Sequence, residues 1–311
     1  MATKQSKIAG ALLIMYIAWG TTYIAIAYAI ETMPDLLSMG MRFFVAAILQ
    51  FILIGATSGF AQFKISSKQF WNSSLLGTMM LALSLGSVSM GEHVVPISVA
   101  ALIISTQPLW TAVLRYMDGD KPHPVSLLGV IAGFIGLVFI LQPAGIQTRN
   151  GADHSVLLLW MVVILLGNIV WAIGSFFTTR MDVPKKPLIL TTYEMFAAGL
   201  VLIIFGLLRG QTFGDFLDAS WQSWAGWAYL IIIGSLIAYS AFNWLLGNAP
   251  ISLVSTYSYV NPIVATALGL VFFGEQITSK VLLGGLVVLI SVALVITAES
   301  RSKEPIMGEN L

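Results

Sequence analysis

Two charged residues lie within stretches of sequence that are otherwise largely apolar. Arg42 falls within residues 36–56, and Glu194 falls within residues 187–208. A charge in contact with lipid costs at least about 2.5 kcal/mol, so each side chain must face protein, water or a bound partner. For Arg42 the sequence leaves two interpretations open. One is a structural ion pair with Glu92, and the other is a gating role or contact with a substrate carboxylate.

Glu194 also has two interpretations. A carboxylate enclosed in the membrane can exchange a proton as the protein changes state, which makes Glu194 a candidate for proton coupling. The alternative is an ion pair with Arg180 or Lys186, whose long side chains could reach inward from the neighbouring loop. Arg42, Glu92 and Glu194 are therefore the candidates for gating or coupling.

Aromatic and amide side chains recur well inside the apolar stretches, away from the membrane interfaces where aromatic belts form. Aromatic walls with a few polar groups suit an amphipathic small molecule. The alternative is that the rings are ordinary helix packing and the amides bond neighbouring helices. The candidate substrate-binding residues are Trp19, Tyr23, Gln107, Asn168, Trp171, Asn243, Tyr257 and Asn261.

Two of these amides precede a proline, in Gln107-Pro108 and Asn261-Pro262. Proline inside a helix leaves a carbonyl one turn earlier without its donor, so a kink is expected at each site. The freed carbonyls could bind substrate or a cation, or the adjacent amide could satisfy them.

The composition identifies the elements that must hold these residues. Only 9% of the 311 residues are charged and 58% are hydrophobic, against roughly a quarter charged in soluble domains. The chain has no cysteine, and its three histidines, His93, His123 and His154, fall in separate loops. The sequence therefore predicts a membrane protein with no metal site, no cofactor and no nucleic-acid partner.

Apolar stretches near the length of about 20 residues that spans a bilayer recur between polar or Pro/Gly breaks. They predict an all-α membrane protein of ten transmembrane helices. The predicted spans are 8–30, 36–56, 70–91, 94–117, 123–142, 155–180, 187–208, 222–247, 250–273 and 277–298.

Lysine and arginine are distributed unequally between the predicted loops. With the N-terminus inside, Arg149, Arg209 and Lys280 lie outside. The inner segments then hold Lys4, Lys7, Lys64, Lys68, Arg115, Lys121, Arg180, Lys185, Lys186, Arg301 and Lys303. This bias predicts that both termini, including a short C-terminal tail, are cytoplasmic.

The two halves of the sequence resemble each other. Pro96-Ile97-Ser98 matches Pro250-Ile251-Ser252, and Gln107-Pro108 matches Asn261-Pro262 at the same spacing. The repeats are predicted as residues 1–147 and 148–311. Because each half has an odd number of spans, the halves must be inverted relative to each other. Such inverted repeats are typical of secondary transporters, whose substrate site lies near the bilayer midplane between the halves.

These residues also give the chain a resemblance to a known family. The motifs that carry this resemblance are Trp19-Gly20-Thr21-Thr22-Tyr23, Arg42-Phe43, Glu92-His93, Thr106-Gln107-Pro108, Trp171-Ala172-Ile173-Gly174-Ser175, Glu194-Met195-Phe196-Ala197-Ala198-Gly199, Tyr257-Ser258-Tyr259-Val260-Asn261-Pro262 and Gly274-Glu275. With them the chain resembles the EamA family of the drug/metabolite transporter superfamily, a group of ten-span bacterial permeases and exporters. The resemblance implies that the membrane is a bacterial inner membrane. The resemblance implies export or uptake of amino acids or other small metabolites by alternating access.

The sequence therefore predicts a secondary transporter that exports a small amphipathic metabolite, such as an amino acid, and is not an enzyme. It carries no Walker-type phosphate loop, so an ion gradient, such as a proton gradient, or the substrate's own gradient must drive transport. An integral-membrane enzyme and a passive channel are the alternatives. Glycines in the fifth and tenth spans predict either close intramolecular packing or a homodimer face.

Overall fold

The structure is a computed structural model, and it describes residues 4–119 and 123–301. These residues form helices joined by turns and loops, and they include no strand. The predicted C-terminal tail lies largely outside these residues, as does Lys121. The longer helices are α1 (Lys4–Thr32), α2 (Asp35–Ser58), α3 (Ser67–Gly91), α4 (Ile97–Met117), α5 (Pro124–Ile140), α6 (His154–Thr178), α7 (Pro187–Leu208), α8 (Trp221–Leu246), α9 (in two pieces, Ile251–Val254 and Tyr257–Phe273) and α10 (Ser279–Arg301).

Eight helices of the described residues are long and apolar enough to cross a membrane. The two exceptions are α5 and the longer piece of α9, which are apolar but have 17 residues each. The all-helical prediction and the membrane class are confirmed, and the helix bounds agree with the predicted spans to within a few residues. We propose below that all ten helices cross the membrane and form two repeats.

Local sequence signals set where the helices begin and end. Pro34 separates α1 from α2, and Pro96 precedes α4, because proline cannot continue a helix from the residue before it. Gly59 ends α2 with a φ of 86°, a conformation that glycine adopts without steric cost. Ser66 begins α3 with a capping box, in which its side chain and that of Gln69 each bond the other's backbone.

Glycines let two helix pairs approach closely. A Cβ on Gly136 of α5 would lie 2.9 Å from the carbonyl oxygen of Gly284 in α10, and the reverse distance is 2.8 Å. Gly40 of α2 and Gly199 of α7 face each other in the same way, each 3.0 Å from the other's carbonyl oxygen. The glycines of α5 and α10 that predicted either packing or a dimer face are therefore used in packing within the chain.

Four helices have irregular backbone, near the middle in α3, α4 and α8 and after the first turn in α9. α3 is π-helical over Thr78–Leu85 and α8 over Leu230–Tyr239. The break in α4 falls at residues 105–106, two residues before Pro108, and the break in α9 falls at 255–256, ahead of Pro262. π-Helical turns and proline breaks are frequent at functional sites. All four irregular segments lie next to the same cavity.

Candidate functional site

A cavity in the centre of the bundle has about 690 Å³ of free space, including its opening to solvent. Seven helices contribute to its wall, from both halves of the sequence. It is lined by Trp19, Thr22, Tyr23, Ile26, Arg42, Phe43, Leu81, Ser84, Leu85, Val88, Ile104, Asn168, Trp171, Gly234, Tyr239, Tyr257 and Asn261. Its mainly apolar wall, with a few polar groups facing inward, fits a small-molecule site.

Aromatic rings form one continuous side of this wall. The Trp19 ring packs edge-on against Trp171 and Tyr257, with centroid distances of 5.8 and 5.0 Å. Phe242 lies behind them, 5.1 Å from Trp19 and 5.7 Å from Trp171. Edge-to-face pairs of this kind fix ring orientation, so the aromatic wall is preformed.

Arg42 is the charged residue of the cavity wall, and only 3% of its surface is exposed. Its Nε donates to the Ser235 hydroxyl at 2.9 Å, and its Nη1 lies 3.6 Å from the Met39 thioether sulfur. The guanidinium lies against Gly234, where a Cβ would come within 2.7 Å of Nη2. The π-helical segment of α8 thus provides both the space and the hydroxyl that position Arg42.

The structure does not join Arg42 to Glu92. Both carboxylate oxygens of Glu92 are buried without a hydrogen-bond partner, and no ion pair of Arg42 occurs within residues 4–119 and 123–301. The Arg42 Cζ also lies 4.7 Å from the centroid of the Phe43 ring. A hydroxyl, a thioether and an aromatic ring carry no negative charge to balance a buried cation. Most of the hydrogen-bonding capacity of the guanidinium is therefore left for a ligand or water.

Glu194 is fully buried behind the cavity wall. Its Oε2 accepts hydrogen bonds from the Tyr239 hydroxyl at 2.8 Å and from the Asn243 amide at 3.0 Å, while Oε1 has no partner. The alternative ion pairs are not formed. Arg180 pairs with Asp118 at 2.9 Å, and Lys186 donates to Gln62 at 2.8 Å.

The four amides predicted at the site fall into two groups. Asn168 and Asn261 line the cavity. Asn243 bonds Glu194 behind the wall, and Gln107 donates to Thr111 one turn along its own helix at 2.9 Å. Asn168 donates to the Ile103 carbonyl and to Thr106, next to the break in α4. The amide that bonds the backbone at this break is therefore Asn168 of α6, and not the adjacent Gln107 that the proline pattern suggested.

A second cluster of charges lies where α3 ends and α4 begins. The Glu275 carboxylate accepts the backbone N–H groups of Ile97 and Ser98, at 2.5 and 3.0 Å, and so caps the first turn of α4. Arg149 donates to the Glu92 carbonyl at 2.7 Å and lies over the Phe273 ring. Burial raises the pKa of the Glu92 carboxyl well above its usual range, an effect that Arg149 opposes and Glu275 reinforces.

Three residues important to this geometry were not singled out from the sequence. Gly234 and Ser235 hold Arg42, and Tyr239 bonds Glu194. Tyr239 lies four residues before Asn243, so helical spacing would have placed both on one face of α8. Ser235 has no comparable signal, because a serine in an apolar helix most often bonds its own backbone.

Comparison with known proteins adds an independent finding. The EamA-like transporter family matches this chain twice, over residues 6–142 and 158–297. The inner membrane transporter YedA of Escherichia coli K12 is 32% identical over 290 residues, covering 92% of this chain and 89% of YedA. The protein PecM of Dickeya dadantii is 26% identical, covering 90% of this chain and 89% of PecM.

A solved crystal structure shares the fold. It matches with a TM-score of 0.65 at 16% sequence identity, over 96% of this chain and 99% of the other. Because the family matches both halves and most of the chain, and YedA is similar over nearly the whole length, the chain belongs to the EamA-like transporter family.

Proposed function

We propose that the protein is a secondary transporter of the bacterial inner membrane. It moves a small amphipathic metabolite, an amino acid or a related compound, out of the cell by alternating access. Its ten spans form two inverted five-helix repeats, residues 1–147 and 148–311, with both termini in the cytoplasm. The two family matches and the YedA similarity support the repeats and the membrane. The basic residues of the predicted inner loops support the orientation.

The observation that carries the proposal is the position of Arg42. It is a buried cation in an aromatic cavity lined from both halves of the sequence, and its side-chain partners are a hydroxyl, a thioether and the Phe43 ring, none of them an anion. A purely structural arginine would be expected to pair with a carboxylate, since an unpaired buried charge is strongly destabilising. An anionic group of the substrate completes this site.

Glu194 is the proposed site of proton coupling. It is connected to the cavity through Tyr239, which both lines the cavity and donates to the carboxylate. No cation neutralises Glu194 among the ion pairs of the described residues. A change in the Tyr239 position when substrate binds would alter the hydrogen bonding of Glu194 and hence its tendency to hold a proton.

An integral-membrane enzyme and a passive channel are the competing functions, and kinetics separate them from a carrier. A carrier saturates and exchanges one substrate molecule for another. A channel conducts without counterflow. An enzyme changes its substrate chemically.

The test is uptake and counterflow in proteoliposomes, with a panel of radiolabelled amino acids and related amphipathic metabolites. Saturable counterflow that is lost in Trp171→Ala is expected. The matched control is Trp221→Ala, because Trp221 is 73% exposed and lies outside the cavity. Flux that neither saturates nor exchanges, or that Trp171→Ala leaves intact, would contradict the proposal.

The coupling role has a separate test. Glu194→Gln preserves shape and still accepts a hydrogen bond from Tyr239, but it cannot release a proton. We expect counterflow to persist and the stimulation by an imposed pH gradient to disappear. The same pH-gradient dependence in Glu194→Gln and wild type would rule out Glu194 as the coupling group.

A further inference from the structure

Among the described residues that line the central cavity, one is charged, Arg42, and the other polar groups are hydroxyls, amides and two indoles. This described lining includes no aspartate or glutamate. An anion therefore has a charged partner in the cavity, whereas a cation has none.

The nearest buried acids lie outside the wall. Glu194 is separated from the cavity by Tyr239, and its Oε2 is already bonded to Tyr239 and Asn243. Glu92 is not among the residues that line the cavity. An ammonium group bound next to Arg42 would reach Glu194 only by displacing Tyr239, and it would find no carboxylate among the described lining residues.

This arrangement matters for a zwitterion such as an amino acid. Its ammonium is attached one carbon away from the carboxylate. Binding the carboxylate to Arg42 therefore also brings the ammonium close to the guanidinium, which carries the same charge. The aromatic rings can offer cation–π contact. The cost of removing an ammonium from water without an ionised partner exceeds what such a contact returns.

The rest of the cavity suits a flat apolar body. Trp19, Trp171 and Tyr257 provide ring faces and edges, and Asn261 presents a buried Oδ1 with no hydrogen-bond partner. That oxygen can accept a hydrogen bond from a neutral donor such as an amide N–H or a hydroxyl.

We propose that the cavity binds aromatic monocarboxylates, including those with a neutral amide or hydroxyl group, in preference to zwitterionic amino acids. This inference rests on the transporter function proposed above and narrows its substrate class. The carboxylate is held by Arg42, the ring lies against Trp19 and Trp171, and a neutral donor meets Asn261.

The experiment measures binding to purified protein in detergent by calorimetry, which avoids the leak of weak acids through liposomes. Four ligands share one phenyl ring and differ in charge: 3-phenylpropionate, N-acetyl-L-phenylalanine, L-phenylalanine and phenethylamine. We expect the first two to bind at least tenfold more tightly than phenylalanine, and phenethylamine not to saturate. Arg42→Gln should abolish binding of 3-phenylpropionate, whereas Arg209→Gln, outside the cavity, should leave it unchanged.

A gain-of-function variant tests whether charge in the cavity sets the ligand preference, without relying on a loss of binding. Asn261→Asp introduces a carboxylate into the wall of the cavity. The preference for 3-phenylpropionate over phenylalanine should then fall at least tenfold. An unchanged ratio in a folded, monodisperse Asn261→Asp protein would show that cavity charge does not set the preference.

Three results would overturn the proposal: phenylalanine binding as tightly as 3-phenylpropionate, phenethylamine binding most tightly, or no binding of any of the four. None of these would by itself contradict the transporter function. Counterflow of any other solute in the proteoliposome assay would leave the proposed carrier standing with a different substrate class.

Discussion

Arg42 and Glu275 are two charged residues that differ in how fully the protein satisfies their hydrogen bonds. Both oxygens of Glu275 receive backbone N–H groups from the first turn of α4, an arrangement that the helix dipole reinforces. Arg42, at 3% exposure, contacts one hydroxyl, one thioether and the Phe43 ring, and no anion among the ion pairs of the described residues. The difference is the basis for assigning Glu275 to the stability of the fold and for our proposal that Arg42 binds a ligand. Variants of each should therefore affect different measurements.

The largest expected effect is on transport, in Arg42→Lys. Lysine keeps the charge but loses the planar fork that can bind a carboxylate through two hydrogen bonds. We expect the substrate concentration for half-maximal counterflow to rise about 10- to 100-fold, since one charged hydrogen bond contributes about 1.5–3 kcal/mol. Unchanged transport in Arg42→Lys would rule out bidentate binding of a carboxylate.

Glu275→Gln should reverse this pattern by lowering stability rather than substrate affinity. Loss of the charged cap on Ile97 and Ser98 is expected to cost about 1.5–3 kcal/mol of unfolding free energy. The measurement is thermal unfolding in detergent, with Glu31→Gln as an exposed control. If Glu275→Gln instead changed substrate affinity with its unfolding temperature intact, the assignment of Glu275 to the fold would be wrong.

Glu92→Gln tests the pH dependence of the same cluster. An acid whose pKa is raised in the folded state holds a proton that the unfolded chain has released. Stability therefore falls as the pH rises from the unfolded pKa, about 4.3, towards the raised value. We expect Glu92→Gln to unfold a few degrees higher than wild type at neutral pH, with a flatter dependence between pH 5 and 8. Parallel pH profiles would show that Glu92 does not titrate in this range.

The smallest effect is expected for the exposed ion pair between Asp118 and Arg180, whose side chains are 52% and 41% exposed. Surface pairs of this kind contribute about 0–1 kcal/mol and weaken with salt. Asp118→Asn should leave transport unchanged and shift thermal unfolding little. A loss of transport in Asp118→Asn would mean that this end of the bundle contributes to function.

Helix positions were largely predictable from the sequence, since long apolar stretches and the prolines at 34, 96 and 250 mark where the chain must turn. Aromatic residues well inside the stretches also predicted the cavity side chains Trp19, Tyr23, Trp171 and Tyr257, which the structure brings together. The physical reason is that periodicity and polarity are local properties of the chain.

Partners across the bundle were not predictable in the same way. Charge alone suggested Glu92 for Arg42, but the structure pairs Arg42 with Ser235, which lies 193 residues away in sequence. It likewise gives Glu194 a tyrosine and an amide in place of Arg180 or Lys186. Which helix faces meet depends on packing over the whole bundle, including the π-helical turns of α3 and α8, and one sequence does not encode that in any local pattern.

The most direct test of the central claim, that the cavity around Arg42 is the transport site, is substrate protection of a single cysteine. The chain contains no cysteine, so Ser84→Cys places one thiol in the cavity wall without background labelling. Ser67→Cys, at the exposed start of the same helix and outside the cavity wall, is the control. The expected result is that a transported solute slows reaction of Ser84→Cys with a membrane-permeant thiol reagent and leaves the reaction of Ser67→Cys unaffected. Equal labelling of Ser84→Cys with and without saturating solute, in a variant that still transports, would contradict the claim.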